Sequence, residues 1–371
     1  MEILRVLLAI SVVLAHSTPI LGCSLVGGPV AVQVFYIISG FYMSLILNEK
    51  YINQNNSYRL FLSNRFLRLF PVYLVVLLLV LLTSVAVLCL YGDTHKNPLH
   101  AYFEYSGSLS PGSFIFLVFT NIFIFFQDVV MFLGIDISTG HLFFTENFQN
   151  HSPALHQFLL IPQAWTIGVE LTFYLLAPFI VRRKLFLVGI LMLLSLALRL
   201  ILYRSGLNHD PWTYRFFPTE LVFFLMGNVS YRIYQKLKNI QIKPLLTKGI
   251  LLGLLSCTLL YDRVDGPFKM YVYFLLSILA LPFIFRLTKN WKWDAHIGEL
   301  SYPIYICHIF VLFCITRFHI PLIHGNLGFT LTLWTIVLSI LLNYFVARRI
   351  EAYRQKRVVV QTLRFQSSEM N

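Results

Sequence analysis

Arg5 and His16 stand eleven residues apart inside the apolar run 3–21. On an α-helix eleven residues return to within about 20° of the same face, about 16 Å further along the axis. An imidazole with an ordinary pKa near 6.5 gains or loses a proton near neutral pH. A guanidinium suits bidentate binding of phosphate. Both groups are costly in lipid, so both are expected to face a bundle interior or a wet cavity. The alternative is a signal peptide with a basic start. The next apolar run follows within a few residues, and His16 interrupts the apolar core that such a peptide needs.

Four further stretches carry chemistry-bearing side chains. Arg65 and Arg68 are three residues apart, on one helix face, just before Pro71. Two guanidiniums at a membrane boundary suit a phosphate-rich ligand, or else anchor lipid headgroups and set topology. Glu170 follows Trp165 in the apolar run 163–181, with Tyr174 beyond it. A carboxylate at that depth is a functional candidate in need of a partner, or one half of a structural pair with an arginine such as Arg199. Ser301, Tyr305 and His308 recur at helical spacing as a polar stripe. A single histidine such as His308 is more often a hydrogen-bonded packing residue than a catalyst. Ser39-Gly40 in the run 29–47 lines a cavity or lets two helices approach closely.

The elements that must position these groups are membrane helices. The chain has 371 residues, 57% hydrophobic and only 12% charged. Soluble proteins carry about 25% charged residues, so this composition belongs to a polytopic membrane protein. Eleven apolar segments are found: 3–21, 29–47, 71–91, 113–133, 163–181, 185–203, 215–234, 249–262, 269–287, 299–318 and 328–347. If 113–133 dips in and returns, 22 of the 29 Lys and Arg fall on one side. The positive-inside rule makes that side cytoplasmic. The expected fold is therefore an all-α integral membrane protein. It has about ten transmembrane helices, one re-entrant or interfacial segment at 113–133, and both termini in the cytoplasm. Residues 1–347 form the transmembrane domain and 348–371 a basic cytoplasmic tail. The net charge of +13 is read as positive loops on one membrane face rather than a nucleic-acid surface. Cys23, Cys89, Cys257, Cys307 and Cys314 lie singly and show no metal or redox spacing. No metal site is expected.

Taken together, in this order, the stretches resemble the membrane-bound acyltransferase-3 family, the bacterial integral-membrane O-acyltransferases. The matching elements begin with Arg5-x10-His16 and the Val32-x-x-Phe35-Tyr36-x-x-Ser39-Gly40-Phe41 run. Next come Arg65-x-x-Arg68 with Pro71 and Tyr73, and Trp165-x4-Glu170-x2-Phe173-Tyr174. Phe224-x-x-Gly227 and Ser301-Tyr302-x2-Tyr305-x2-His308 complete the set. Glu351 resembles the family's closing glutamate, although Tyr353 stands where a proline is expected. The resemblance covers about residues 3–351. It implies transfer of an acyl group, acetyl foremost, from cytoplasmic acyl-CoA to a hydroxyl of a surface glycan or glycolipid, at the bacterial cytoplasmic membrane. Acyl-CoA is then a co-substrate, with no bound cofactor. His16 becomes the general base and Glu170 the group that orients it or stabilises its charged form. Arg5, Arg65 and Arg68 bind the donor. Ser39, Trp165, Tyr174, Ser301, Tyr305 and His308 are candidate pocket residues.

Two other classes compete. A transporter or flippase for a phosphate-bearing or glycan substrate uses the same basic entrance, with His16 and Glu170 as a proton relay. Neither an inverted repeat nor a matched pair of Gly/Pro-broken helices is present to support it. A non-catalytic scaffold leaves Arg5, His16 and Glu170 unexplained.

Overall fold

The computed structural model describes residues 1–50, 57–92 and 96–357. Thirteen α-helices follow one another among the described residues: α1 (Glu2–Ala15), α2 (Gly28–Glu49), α3 (Ser57–Tyr91), α4 (His100–Tyr105), α5 (Pro111–Phe123), α6 (Trp165–Ile180), α7 (Leu185–Arg204), α8 (Phe217–Leu237), α9 (Pro244–Leu259), α10 (Lys269–Thr288), α11 (Lys292–Gly298), α12 (Ser301–Arg317) and α13 (Leu327–Arg357). One small antiparallel hairpin, β1 (Leu133–Ile135) with β2 (Leu142–Phe144), lies between α5 and α6.

Six helices are long and apolar enough to cross a membrane: α2, α3, α7, α10, the continuous α11–α12, and α13. Of the other expected crossings, α1 has 14 residues and α6 and α9 have 16 each. The remaining one, α8, carries Glu220, Arg232 and Lys236. By length and composition, six of about ten expected crossings are met.

The chain divides into two compact units. Unit 1 comprises Met1–Val72, Tyr174–Met192 and Val222–Asn371. Its centre is α1, which packs on α2, α11, α12 and α13. Leu4, Leu8, Ala9, Val12 and Val13 of α1 are buried. A helix enclosed by protein in this way need not be as long as the lipid is thick. Helix α2 is apolar nearly all round, the pattern of a helix inside a bundle. It meets α8 at Gly40 and Gly227. A Cβ on Gly40 would lie 1.9 Å from the Phe224 carbonyl oxygen, and one on Gly227 would lie 2.0 Å from that of Ile37. The close-approach reading of Gly40 is thus the one the structure bears out. We expect Gly227→Ala to destabilise the protein by about 1–3 kcal/mol, because the clash is with backbone and only helix separation relieves it. Thermal unfolding in detergent measures this; an unchanged Tm contradicts the contact.

Unit 2 comprises Tyr73–Phe173 and Leu193–Leu221. Within it α5 has only 13 residues, of which 11 fall in the expected segment 113–133. That is about 20 Å of helix, too short for a hydrocarbon core of about 30 Å. Ser110 caps the start of α5, and Ile124 and Phe126 end it in left-handed backbone at φ 65° and 66°. The Asn121 side-chain amide donates to the Phe158 carbonyl at 2.9 Å, and its oxygen accepts from the Leu160 N–H at 2.8 Å. The segment is thereby held against the 155–160 loop. Asp128 follows, nearly buried, its carboxyl pushed up to about 6 by burial.

Candidate active site

The site is organised by α1, and both ends of that helix are pinned by other parts of unit 1. At its start the Asp294 carboxylate of α11 accepts from the Glu2 N–H at 3.2 Å and the Ile3 N–H at 3.0 Å. Those donors lack partners inside the helix, and an acidic side chain stabilises them as an N-cap does. The sequence predicts a helix through residue 21, but α1 stops at Ala15, with His16 as its C-cap. Pro19 cannot continue the helix, and Leu21 and Gly22 are left-handed. The chain after His16 is tied to α13: Gly328 N–H donates to Thr18 Oγ1 at 2.9 Å, and Asn326 Nδ2 donates to the Pro19 carbonyl at 3.0 Å.

The first end of α1 opens on a cavity of about 380 Å³ whose lining includes Arg5, Arg65 and Arg68. The three predicted donor-binding arginines therefore converge. Glu2 and Tyr42 line it as well. Arg5 Nη1 pairs with Glu2 Oε2 at 2.7 Å, and the Tyr42 hydroxyl donates to Glu2 Oε1. Gly298 leaves room for this carboxylate, since a Cβ there would lie 2.2 Å from Glu2 Oε2. Tyr302 donates from its hydroxyl to the Leu69 carbonyl at 2.9 Å and so ties α12 to α3 beside Arg68. Arg65 is 4% exposed, with Phe61 6.0 Å from its guanidinium carbon.

At the other end of α1 His16 is exposed and His308 fully buried, with ring centroids 5.2 Å apart at 36°. His308 Nδ1 lies 2.7 Å from the Tyr305 carbonyl oxygen. A carbonyl only accepts, so Nδ1 carries the proton and Nε2 of the neutral ring is an acceptor. This Nε2 is buried and has no hydrogen-bond partner among the described residues. His308 thus has one acceptor without a partner beside His16.

The other candidates fall elsewhere. The Ser301 hydroxyl donates to the Gly298 carbonyl at 2.8 Å within the α11–α12 turn. Tyr305 packs edge-on to Phe35 at 6.2 Å. Ser39 is buried on α2 and Tyr174 is buried edge-on to Phe61 at 6.4 Å; neither lines the cavity. Trp165 and Glu170 belong to unit 2. There the Arg215 guanidinium carbon sits 4.3 Å from the centre of the buried Trp165 ring, and Asp210 holds Arg215 through bonds of 2.7 and 2.9 Å. Arg199 pairs with Glu220 at 3.0 Å. Among the described residues no group of three or more His, Cys, Asp or Glu gathers as metal ligands would.

Sequence reasoning missed Glu2, Tyr42 and Asp294. Glu2 stands three residues before Arg5, a spacing that pairs side chains on a helix, and that was the available signal. Asp294 gave none, because its partners are backbone groups of a distant helix.

A site of this kind brings an arginine-lined cavity and an imidazole pair to opposite ends of one fixed helix. No curated protein and no solved structure matches the chain. The family model described as "Acyltransferase domain" matches residues 1–348. With that match spanning both ends of α1, the chain belongs to the acyltransferase-3 family and is a membrane acyltransferase.

Proposed function

We propose that the protein moves an acyl group, acetyl foremost, from cytoplasmic acyl-CoA to a hydroxyl of a surface glycan or glycolipid. The observation that carries this reading is the placement of Arg5 and His16 at the two ends of α1. Their helical separation of about 16 Å matches a donor held by its phosphates while its thioester reaches the histidines. A hydroxyl is a weak nucleophile at neutral pH and needs a base. His16 takes the hydroxyl proton as the oxygen attacks the thioester carbon. The tetrahedral intermediate collapses, the C–S bond breaks, and the CoA sulfur leaves with the proton returned by the imidazolium. His308 offers Nε2 to the acceptor hydroxyl or to protonated His16. Glu170 is a catalytic candidate by the family resemblance, and Glu170→Gln is expected to lower turnover.

The basic cavity faces the cytoplasm under the positive-inside reading, and both termini lie on that side. The test compares surface glycans, by mass spectrometry, from cells making the wild type and cells making His16→Ala. Acyl groups present only with the wild type support the reading. Identical glycans overturn it.

A further inference from the structure

The chain beyond the family match contributes to the cavity. Residues 348–371 read as a basic tail in the sequence; 358–371 lie outside the described residues. Through a π-helical turn at Asn343–Ala347, α13 continues to Arg357. Asn343, Ile350, Glu351 and Arg354 line the cavity. All four thus share the cavity-facing side of this helix across the π-helical turn. Arg357 Nη2 donates to the Ser63 hydroxyl at 3.0 Å and docks this end of α13 on α3, beside Arg65. Arg354 is 9% exposed and pairs with Glu351 one turn back.

The cations of the cavity form two tiers. Arg5 and Arg68 lie in electrostatic range of Glu2 and Tyr42. Arg65 and Arg354 lie in range of Lys50, just past the end of α2. Partial burial lowers the Lys50 pKa first, Glu351 opposes the lowering, and Arg65 and Arg354 add to it. The tiers differ in depth. α1 and α2 run antiparallel, with Tyr42 at Glu2 and the Gly27 carbonyl at the Ser11 hydroxyl. Lys50 is eight residues beyond Tyr42, about 12 Å further from the histidine end. Arg65 precedes Arg68 by three residues, about 4.5 Å along α3. Arg65, Lys50 and Arg354 therefore form the outer tier.

We propose that Arg354, with Arg65 and Lys50, binds the 3′-phosphate on the ribose of the CoA donor, while Arg5 and Arg68 take the pyrophosphate. The inference rests on the acyl-CoA reading. In CoA the pyrophosphate joins the pantetheine arm and the 3′-phosphate sits on the far, nucleotide side. With the thioester at the histidines, the pyrophosphate belongs to the deeper tier and the 3′-phosphate to the outer one. Glu351 aims Arg354 through their one-turn pairing.

The experiment measures binding of acetyl-CoA and 3′-dephospho-acetyl-CoA to the full chain in phosphatidylcholine nanodiscs. Wild type is expected to prefer acetyl-CoA by about tenfold or more, the worth of a charge-assisted contact to a phosphate monoester. Arg354→Gln should weaken acetyl-CoA to the level of the dephospho form and leave dephospho binding unchanged, which also reports an intact fold. Arg354→Lys should restore part of the preference. If wild type binds neither compound, the acyl-CoA reading fails. If wild type binds both equally, or Arg354→Gln keeps the preference or weakens both alike, the 3′-phosphate assignment fails and the donor reading stands. Loss of the preference on adding phosphatidic acid to the nanodiscs assigns the outer tier to a lipid phosphate, which also overturns the proposal.

Discussion

Replacing His16 by alanine is expected to reduce acyl transfer by two to four orders of magnitude, the usual contribution of a positioned general base. The fold should survive. His16 is exposed at the end of α1, so its removal opens no core cavity, and Thr18 and Asn326 tie the turn that follows to α13. Protein level in membranes and Tm in detergent should match the wild type. Transfer above a few per cent of wild type removes His16 from the role of base. His308→Ala is a different experiment, since it empties a fully buried site and is expected to lower both transfer and Tm.

The second large effect concerns the donor. Arg5→Ala and Arg68→Ala are each expected to weaken acetyl-CoA binding roughly ten- to a hundredfold, since hydrogen bonds to charged groups contribute about 1.5–3 kcal/mol. Lysine at either position should recover only part, because it offers a point charge in place of a planar fork. Arg5 has a further constraint in Glu2, which fixes its guanidinium at 2.7 Å. A lysine there loses that registration as well. If both alanine variants bind acetyl-CoA as tightly as the wild type, these arginines serve topology and headgroup contact instead.

The polar groups of the site were legible because they interrupt apolar runs. Arg5, His16, Arg65 and Arg68 stand out on solvation cost alone, and three of the four meet at one cavity. His308 was visible as part of a stripe. Its role was not, because that depends on the tertiary placement of its ring against His16 and on which nitrogen the Tyr305 carbonyl takes. The length of α1 was misjudged for a similar reason. Apolar content predicts helix through residue 21, whereas the chain leaves the helix at Ala15 to reach α13. Segment 113–133 stands apart in the sequence by its charge-poor flanks, and α5 within it is too short to cross by length. Its break at Ile124 and Phe126 carries no glycine or proline and so had no sequence signal. In the sequence Arg354 is one charge of a basic tail that extends the last helix. In the structure Arg357 docks that stretch on α3 and Arg354 lines the cavity.

The central claim is that one end of α1 binds the donor and the other performs the chemistry. The most direct test titrates acetyl-CoA into His16→Ala and Arg5→Ala side by side, in nanodiscs, and measures acyl transfer by the same preparations. The account predicts that His16→Ala binds acetyl-CoA with wild-type affinity and transfers almost nothing, while Arg5→Ala loses affinity and regains part of its transfer at high donor concentration. Loss of donor binding in His16→Ala, with retained binding in Arg5→Ala, would contradict it.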